Sequence, residues 1–381
     1  MPGILKELKP VYVVGVGWHR YQNPSDTTYV TLGLEAIRMA LSDAEVDWQD
    51  VDSTFFATGL LGMAAGRAML RHLGTNGKPI SHIENASASG STAFRLACME
   101  IGAGISDVSL VVGVDKREPV MRAYDKAGVV GLADEAISPP THFALLTNRY
   151  ASAHGVSPED VAYVALKNHR NGSKNPFAQR QKERSIEEIL GGRPVAGTLT
   201  ALQCCPVGEG AAAVIVASES GIKRLGLDAT RAIRVSASAA SSESAGQGAG
   251  ADATITTATM NEALRQAQIK ATDVDVLELH DAFTIEELLY TEGLGLCGPG
   301  QAIHMLKEGA FDIGGQMAVS PSGGLIAMGH PIGPTGVGQI GEIAMQLRGE
   351  AGARQHKGAQ IGMAHMVGLG AVCYVHLLQK T

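Results

Sequence analysis

The segment 40–52, A-L-S-D-A-E-V-D-W-Q-D-V-D, has a second copy 223 positions further on, at 263–275: A-L-R-Q-A-Q-I-K-A-T-D-V-D. Ala40, Leu41, Ala44, Asp50, Val51 and Asp52 meet the same residue types at the same spacing, and Val46 meets Ile269. Each copy reads as the end of a helix, a turn and the start of a strand, at 53–57 and at 276–280. Downstream of each copy lies a glycine-bearing loop and then a helix, at Ser87-Ala88-Ser89-Gly90 and at Gly329-His330-Pro331. The pattern implies two similar βα halves, each delivering a reactive loop to a shared centre.

The rest of the chain fills in around the repeat. Residues 11–17 (V-Y-V-V-G-V-G) read as a buried strand, 28–41 as an amphipathic helix, and 59–73 as a Gly/Ala-rich helix. Residues 83–90 read as a strand running into a turn, 91–102 as a helix, and 108–114 and 211–217 as buried strands. Alternating strands and helices predict an α/β protein with a mainly parallel sheet covered on both faces. Residues 117–198 interrupt the first half as a polar, helical insertion. Within it, six Lys/Arg between 167 and 184 face one acid, Glu183. That cluster is either a solvated helix face or a patch for a small polyanion. The expected division is 1–116 with 199–225, then 117–198, then 226–381.

Composition narrows the function classes. The net charge of −7 argues against broad nucleic-acid or anionic-membrane binding, and 47 glycines with 4% aromatics suit a tightly packed α/β core. No stretch has the plan of a signal peptide, and no apolar run is long enough to span a bilayer. Five cysteines without CxxC spacing argue against a disulfide framework or a metal site and fit a reducing cytoplasm.

Four loops carry candidate chemistry. Residues 320–336 (S-P-S-G-G-L-I-A-M-G-H-P-I-G-P-T-G) hold five glycines, three prolines and one histidine, His330. A stiff glycine loop presenting a histidine at a helix start is either an active-site element or a tight turn. Ser87, in N-A-S-A-S-G-S before a helix, is either a nucleophile beside helix amides or an N-cap. His280 ends a strand in L-E-L-H-D-A-F, where Asp281 either fixes its tautomer or caps the next helix. His365 lies in G-M-A-H-M-V-G-L-G, another strand-end loop.

Six segments together resemble the thiolase superfamily, sterol-carrier-protein type, over nearly the whole chain. They are E-N-A-S-A-S-G-S-T-A-F at 84–94, L-K-N-H-R-N-G-S-K-N-P-F-A-Q at 166–179 and C-P-V-G-E-G-A-A-A-V at 205–214. The others are H-D-A-F at 280–283, S-G-G-L-I-A-M-G-H-P-I-G at 322–333 and H-M-V-G-L-G at 365–370. The resemblance implies a thiolase fold: two βαβαβαββ halves in five α-β-α-β-α layers, with an inserted loop domain that contacts coenzyme A. It implies acyl-CoA and coenzyme A as substrates, no permanently bound cofactor, and a homodimer. It also implies a possible small partner protein with an OB-fold and a zinc ribbon. By position, His330 looks like the histidine that activates the nucleophile, and His280 and His330 form an oxyanion hole. The amides of Ser87 and Gly368 would form a second hole. Coenzyme A is expected along Lys167, His169, Arg170 and Lys174, and at Ser322 and Gly323.

Two departures stand out. The family nucleophile is cysteine, and its position holds Ser87. The cysteine that serves as acid/base in this subgroup is Ala282, while His365 occupies the loop where other thiolases place theirs. His365 is therefore expected to carry the proton. Three readings stay open: an acyltransferase in which Ser87 is an engineered replacement that slows it, a retro-aldolase on a β-hydroxyacyl-CoA, and a non-catalytic acyl-CoA or lipid carrier.

Overall fold

A computed structural model describes residues 5–117, 138–244, 251–368 and 372–381. The strands are β1 (Val11–Gln22), β2 (Ser53–Ala57), β3 (Ile80–Ile83), β4 (Val108–Asp115), β5 (Pro194–Ala196), β6 (Leu199–Thr200), β7 (Glu209–Ser218), β8 (Ile233–Ser242), β9 (Val276–Glu278), β10 (Ala318–Val319), β11 (Ile361–Gly368) and β12 (Val372–Lys380). Among the described residues the longer helices are α1 (Tyr29–Ala44), α2 (Ser89–Gly102), α3 (Pro139–His154), α4 (Pro158–Ser173), α5 (Ala251–Ala267), α6 (Thr284–Gly293) and α7 (Ile332–Arg348).

Ten strands run in the order β10-β9-β11-β12-β8-β1-β7-β4-β2-β3. Read outward from the centre, β1-β7-β4-β2-β3 and β8-β12-β11-β9-β10 are two copies of one five-stranded pattern. They meet only where Tyr12 pairs with Arg234 and Val13 with Ile233. The offset of 223 seen in the sequence carries Ser53 at the start of β2 onto Val276 at the start of β9. The sheet is more mixed than expected: β2 and β9 pair in parallel with both neighbours, whereas β7 and β12 run antiparallel to theirs. The last strand of the second half, β12, follows β11 after only three residues, and so short a connection makes an antiparallel pair; β7 takes the matching place in the first half after the insertion.

Three apolar clusters give the layers. Leu32, Ala36 and Ile37 of α1 pack on Val112 and Ile215 at one outer face. Ile255, Met260 and Ala263 of α5 pack on Ala239 and Val375 at the other. Between the sheets lie α2 and α7, with Phe94, Ile101, Val337 and Ile340 packed on Val111, Val214, Val235 and Ala364. This is the five-layered α-β-α-β-α arrangement. The α7 helix starts at Ile332, well before the 340–347 segment whose apolar run marks it in sequence. Its first two turns are glycine-rich because they lie against other backbone. A Cβ at Gly90 or at Gly113 would fall about 2.5 and 2.4 Å from the carbonyl oxygen of Gly333. These contacts bring the start of α7 against α2 and β4, which places His330 beside Ser87. The insertion contributes α3 and α4 over the second half, and residues 118–137 of it lie outside the described part. No helix among the described residues is long and apolar enough to cross a membrane.

Candidate active site

Ser87 sits at the end of a short loop between β3 and α2. Ala86 before it adopts a left-handed conformation, φ 48°, and the Ala86 amide donates to Glu84 Oε1 at 2.8 Å. The N-cap of α2 is Ala88, which makes no side-chain cap bond, so Ser87 is not the capping residue. Its Oγ instead lies 3.0 Å from His330 Nε2. The other ring nitrogen, Nδ1, is 2.9 Å from Thr335 Oγ1, and that hydroxyl donates to the Pro331 carbonyl. With its hydrogen spent on Pro331, Thr335 can only accept from His330. Nδ1 therefore carries the ring proton, and Nε2 is left as a bare base facing Ser87.

Burial, with the facing His280 imidazole adding to it, holds His330 well below the ordinary histidine value. The two rings stand edge to face, with centroids 5.3 Å apart. His280 Nδ1 donates to Glu286 Oε1 at 2.9 Å, and the same carboxyl accepts from Phe283 N at 2.9 Å and from the Tyr290 hydroxyl at 3.1 Å. Asp281 neither holds His280 nor caps α6. It accepts from Leu325 N, Ser320 Oγ and Asn168 Nδ2, tying the 320–325 loop to α4. Asp115 does the same for the start of α7, accepting from Gly59 N, Leu60 N, Thr58 Oγ1 and Gly333 N.

Gly368 belongs to this neighbourhood. A Cβ there would fall 2.7 Å from the Asn85 carbonyl and 3.2 Å from Ala88 Cβ, so its backbone lies against the loop carrying Ser87. His365, the expected proton carrier, does not join the Ser87–His330 pair. Its Nε2 bonds Thr256 on α5 at 3.0 Å, its Nδ1 takes the His280 amide at 3.4 Å, and its ring packs edge-on to Tyr290 of α6. It is fully buried toward the outer helices, and neither nitrogen is left for a substrate. The cause is strand alternation: side chains two apart share a face, and His365 falls with Met363 and Val367 on the outer-layer side.

Most cations of the expected coenzyme A segment are engaged within the protein. Lys167 is 2% exposed, and its Nζ is 3.1 Å from Glu287 Oε1 and 2.9 Å from Asn168 Oδ1. His169 is buried with Nε2 on the Leu202 carbonyl, and Arg180 is spent on the carbonyls of Ala201, Cys204 and Ile326. Arg170 pairs with Asp312, and Lys182 and Arg184 pair with Glu188. Of the six cations only Lys174 is without a partner among the described residues. Ser322 gives both its amide and its hydroxyl to Glu278, and Gly323, at φ 108°, packs on the Gly172 backbone of α4. Lys167, Ser322 and Gly323 support the glycine loop, through the Val319 carbonyl, Glu278 and the Gly172 backbone respectively.

Sequence reading missed three partners. Thr335 lies five residues after His330, in the first turn of α7, and Glu286 six after His280 at the start of α6; neither spacing signals a ring contact until the loops close. Asp115, at the end of β4, has no local signature. Thr335→Val keeps the shape but leaves Nδ1–H without an acceptor. It is expected to lower the rate of Ser87 acylation about 10- to 100-fold, the effect of about 1–3 kcal/mol for an unmet buried donor. Thr335→Ser should restore most of it. An unchanged acylation rate in Thr335→Val contradicts the assignment.

Comparison with known proteins places this site in a family. Residues 21–189 match the profile "Thiolase, N-terminal domain" and residues 237–379 match "Thiolase C-terminal domain-like". The chain is 34% identical over 401 residues to "Sterol carrier protein 2" of Homo sapiens, covering 97% of this chain and 72% of that one. It is 35% identical over 377 residues to "Benzoylsuccinyl-CoA thiolase subunit BbsB" of Thauera aromatica, covering 96% of each. Its fold matches the solved structure "Ltp2-ChsH2(DUF35) aldolase" with a TM-score of 0.84 at 21% identity, over 97% of this chain and 98% of that one. On these matches over both halves, the chain belongs to the thiolase superfamily of acyl-CoA acyltransferases.

Proposed function

We propose that this protein breaks or forms the Cα–Cβ bond of a β-ketoacyl-CoA, with residue 87 as acyl carrier and His330 as its base. The 3.0 Å contact between Ser87 Oγ and a His330 whose tautomer Thr335 fixes carries this reading. In the cleavage direction, His330 Nε2 takes the Ser87 proton as Oγ bonds to the β-carbonyl carbon. The Cα–Cβ bond breaks, the acyl group stays on Oγ as an ester, and the electron pair leaves as the enolate of the shortened acyl-CoA. His280 and His330 donate to the enolate oxygen. The Glu286 carboxyl, 2.9 Å from His280 Nδ1, holds the ring so that its Nε2 is the nitrogen left for the enolate oxygen. His330 then gives its proton to the α-carbon. The thiol of a second coenzyme A attacks the ester, and Ser87 regains its hydrogen. A serine hydroxyl ionises far less readily than a thiol of pKa about 8.5, so thiolysis by this chain is expected to be slow.

The pH dependence follows from His330. An ordinary histidine base gives an acid limb near pH 6.5. Held lower, His330 stays a free base through that range, so the acid limb of kcat/KM is expected below pH 6.5. The stability sign agrees: the folded ring resists a proton that the unfolded chain takes up below about pH 6.5. Its contribution is thus full above that value and lost as pH falls toward the folded pKa. A pH–rate profile with its acid limb at or above pH 6.5 contradicts the assignment of His330 as the base.

A second reading rests on one observation: Ala282 stands where a cysteine acid/base would, and His365 faces away, which leaves a single base. Retro-aldol cleavage of a β-hydroxyacyl-CoA needs only one. His330 takes the hydroxyl proton, Cα–Cβ breaks to a carbonyl compound, and the enolate is stabilised as above and then protonated. The solved neighbour named as an aldolase supports it. Product formation with and without free coenzyme A separates the two, since only thiolysis requires it. Acyl-CoA binding with neither activity, even with cysteine at 87, would leave the carrier reading.

With the enzyme reading go a homodimer in the cytoplasm, the half–insertion–half division, and a small acyl-CoA-binding partner. The unpaired edge of β3, with Met63 fully exposed nearby, supports a dimer contact, and the DUF35 protein named in the aldolase complex supports the partner. Lys174 is the cation of the 167–184 segment free to meet a coenzyme A phosphate.

A further inference from the structure

Behind the His330 loop, between β1, β9 and α7, lies a small cavity of about 20 Å³, room for roughly one water. Tyr21, Glu278, Ser322, Thr335 and Gln339 are in its wall. Two polar atoms there have no hydrogen-bond partner among the described residues: Oη of Tyr21, a residue 1% exposed, and Oε1 of Gln339, a residue 4% exposed. The Gln339 amide nitrogen is committed to the Leu279 carbonyl at 2.9 Å, which turns only its oxygen to the cavity. A buried donor and a buried acceptor left unmet cost about 1–3 kcal/mol each, so a native fold rarely leaves both.

Glu278 joins this pair to the active site. It is the last residue of β9, two before His280. Its Oε1 accepts the Ser322 amide at 2.9 Å, and its Oε2 accepts the Ser322 hydroxyl at 2.8 Å. One carboxyl therefore ties the strand end that carries His280 to the loop that carries His330. Thr335, which holds His330 Nδ1, borders the same cavity.

We propose that the cavity holds one buried water bonded to Tyr21 Oη and Gln339 Oε1, and that this water and Glu278 together position the 320–335 segment and hence the His330 ring. The water accepts the Tyr21 hydrogen and donates one of its own to Gln339 and the other to Glu278. The charge environment suits this. Burial raises Glu278 to about 8, the Glu342 carboxyl of α7 and Asp281 add to the rise, and the Ser322 bonds oppose it. Arg354 is committed to Glu342 through Nε at 2.9 and 2.8 Å. Both Glu278 oxygens already accept from Ser322, and the second hydrogen of the cavity water is the further donor that opposes this rise. Tyr21, Gln339 and Glu278 are positioning residues; none touches Ser87.

The test uses the unliganded full chain, so it stands or falls apart from the acyl-transfer reading. Crystals of the protein show whether the cavity is occupied. The resonances of histidine labelled with nitrogen-15 report the His330 tautomer and its titration midpoint. The expected result is an ordered water between Tyr21 and Gln339, lost in Tyr21→Phe, and a shifted His330 Nδ1–H resonance in both Tyr21→Phe and Glu278→Gln. Glu278→Gln keeps the side-chain volume, so it serves if Tyr21→Phe does not fold. The exposed His72→Gln should leave the His330 resonance unchanged. A dry cavity in the wild-type crystals, or a His330 resonance unmoved in Glu278→Gln, overturns the proposal.

Discussion

His330→Ala is expected to lower acylation of residue 87 by about 10²- to 10⁴-fold, the range for losing a positioned general base. The effect should appear with serine at 87 and also in a Ser87→Cys background. It should be larger with serine, because a hydroxyl depends on its base more than a thiol does. The geometry leaves little room for a substitute. His280 has its Nδ1 on Glu286, His365 faces the outer helices, and among the described residues no other titrating side chain bonds Ser87 Oγ. Stopped-time intact mass of the protein with an acyl-CoA, together with circular dichroism to confirm folding, reads it out. A folded His330→Ala protein acylated at the parent rate would remove His330 from the chemistry.

The largest stability effect is expected at Lys167, a residue whose sequence context suggests ligand binding. Lys167→Met leaves Glu287 buried among apolar side chains without its cation. Burial already raises Glu287, and Lys167 is the main opposing influence. Breaking a buried pair by removing one partner costs ~3–5 kcal/mol, far more than loss of a surface pair. The double variant Lys167→Met/Glu287→Gln should recover much of this, because no unpaired charge remains. Denaturant unfolding measures both. A Lys167→Met midpoint equal to wild type would mean that the ion pair does not hold α4 to α6, and would return Lys167 to the list of ligand-binding residues.

The Lys167 result also shows where sequence reading stops. The repeat at 40–52 and 263–275 was legible because it sits where a helix hands over to a strand, and backbone periodicity records such junctions directly. Both halves and the two loops they deliver follow from it. The helical start of α7 was not legible. Its glycines argue against a helix on local propensity, and only the contact with Gly90 and Gly113 makes them favourable. Cations between 167 and 184 looked like a patch because their partners, at Glu287, Asp312 and the carbonyls of 201–204, are distant in sequence or belong to the backbone. The direction of His365 was hidden for a different reason. Strand alternation assigns side chains to two faces, but which face meets the substrate depends on the central helices packed between the sheets.

The central claim is that residue 87 carries an acyl group under the control of His330. Its most direct measurement is a paired assay of this chain and Ser87→Cys with a β-ketoacyl-CoA and free coenzyme A, followed by intact mass. The account predicts that Ser87→Cys turns over faster and gains the mass of one acyl group at residue 87, while the serine form is slow. If neither form gains mass and neither cleaves the β-ketoacyl-CoA, the covalent mechanism is contradicted.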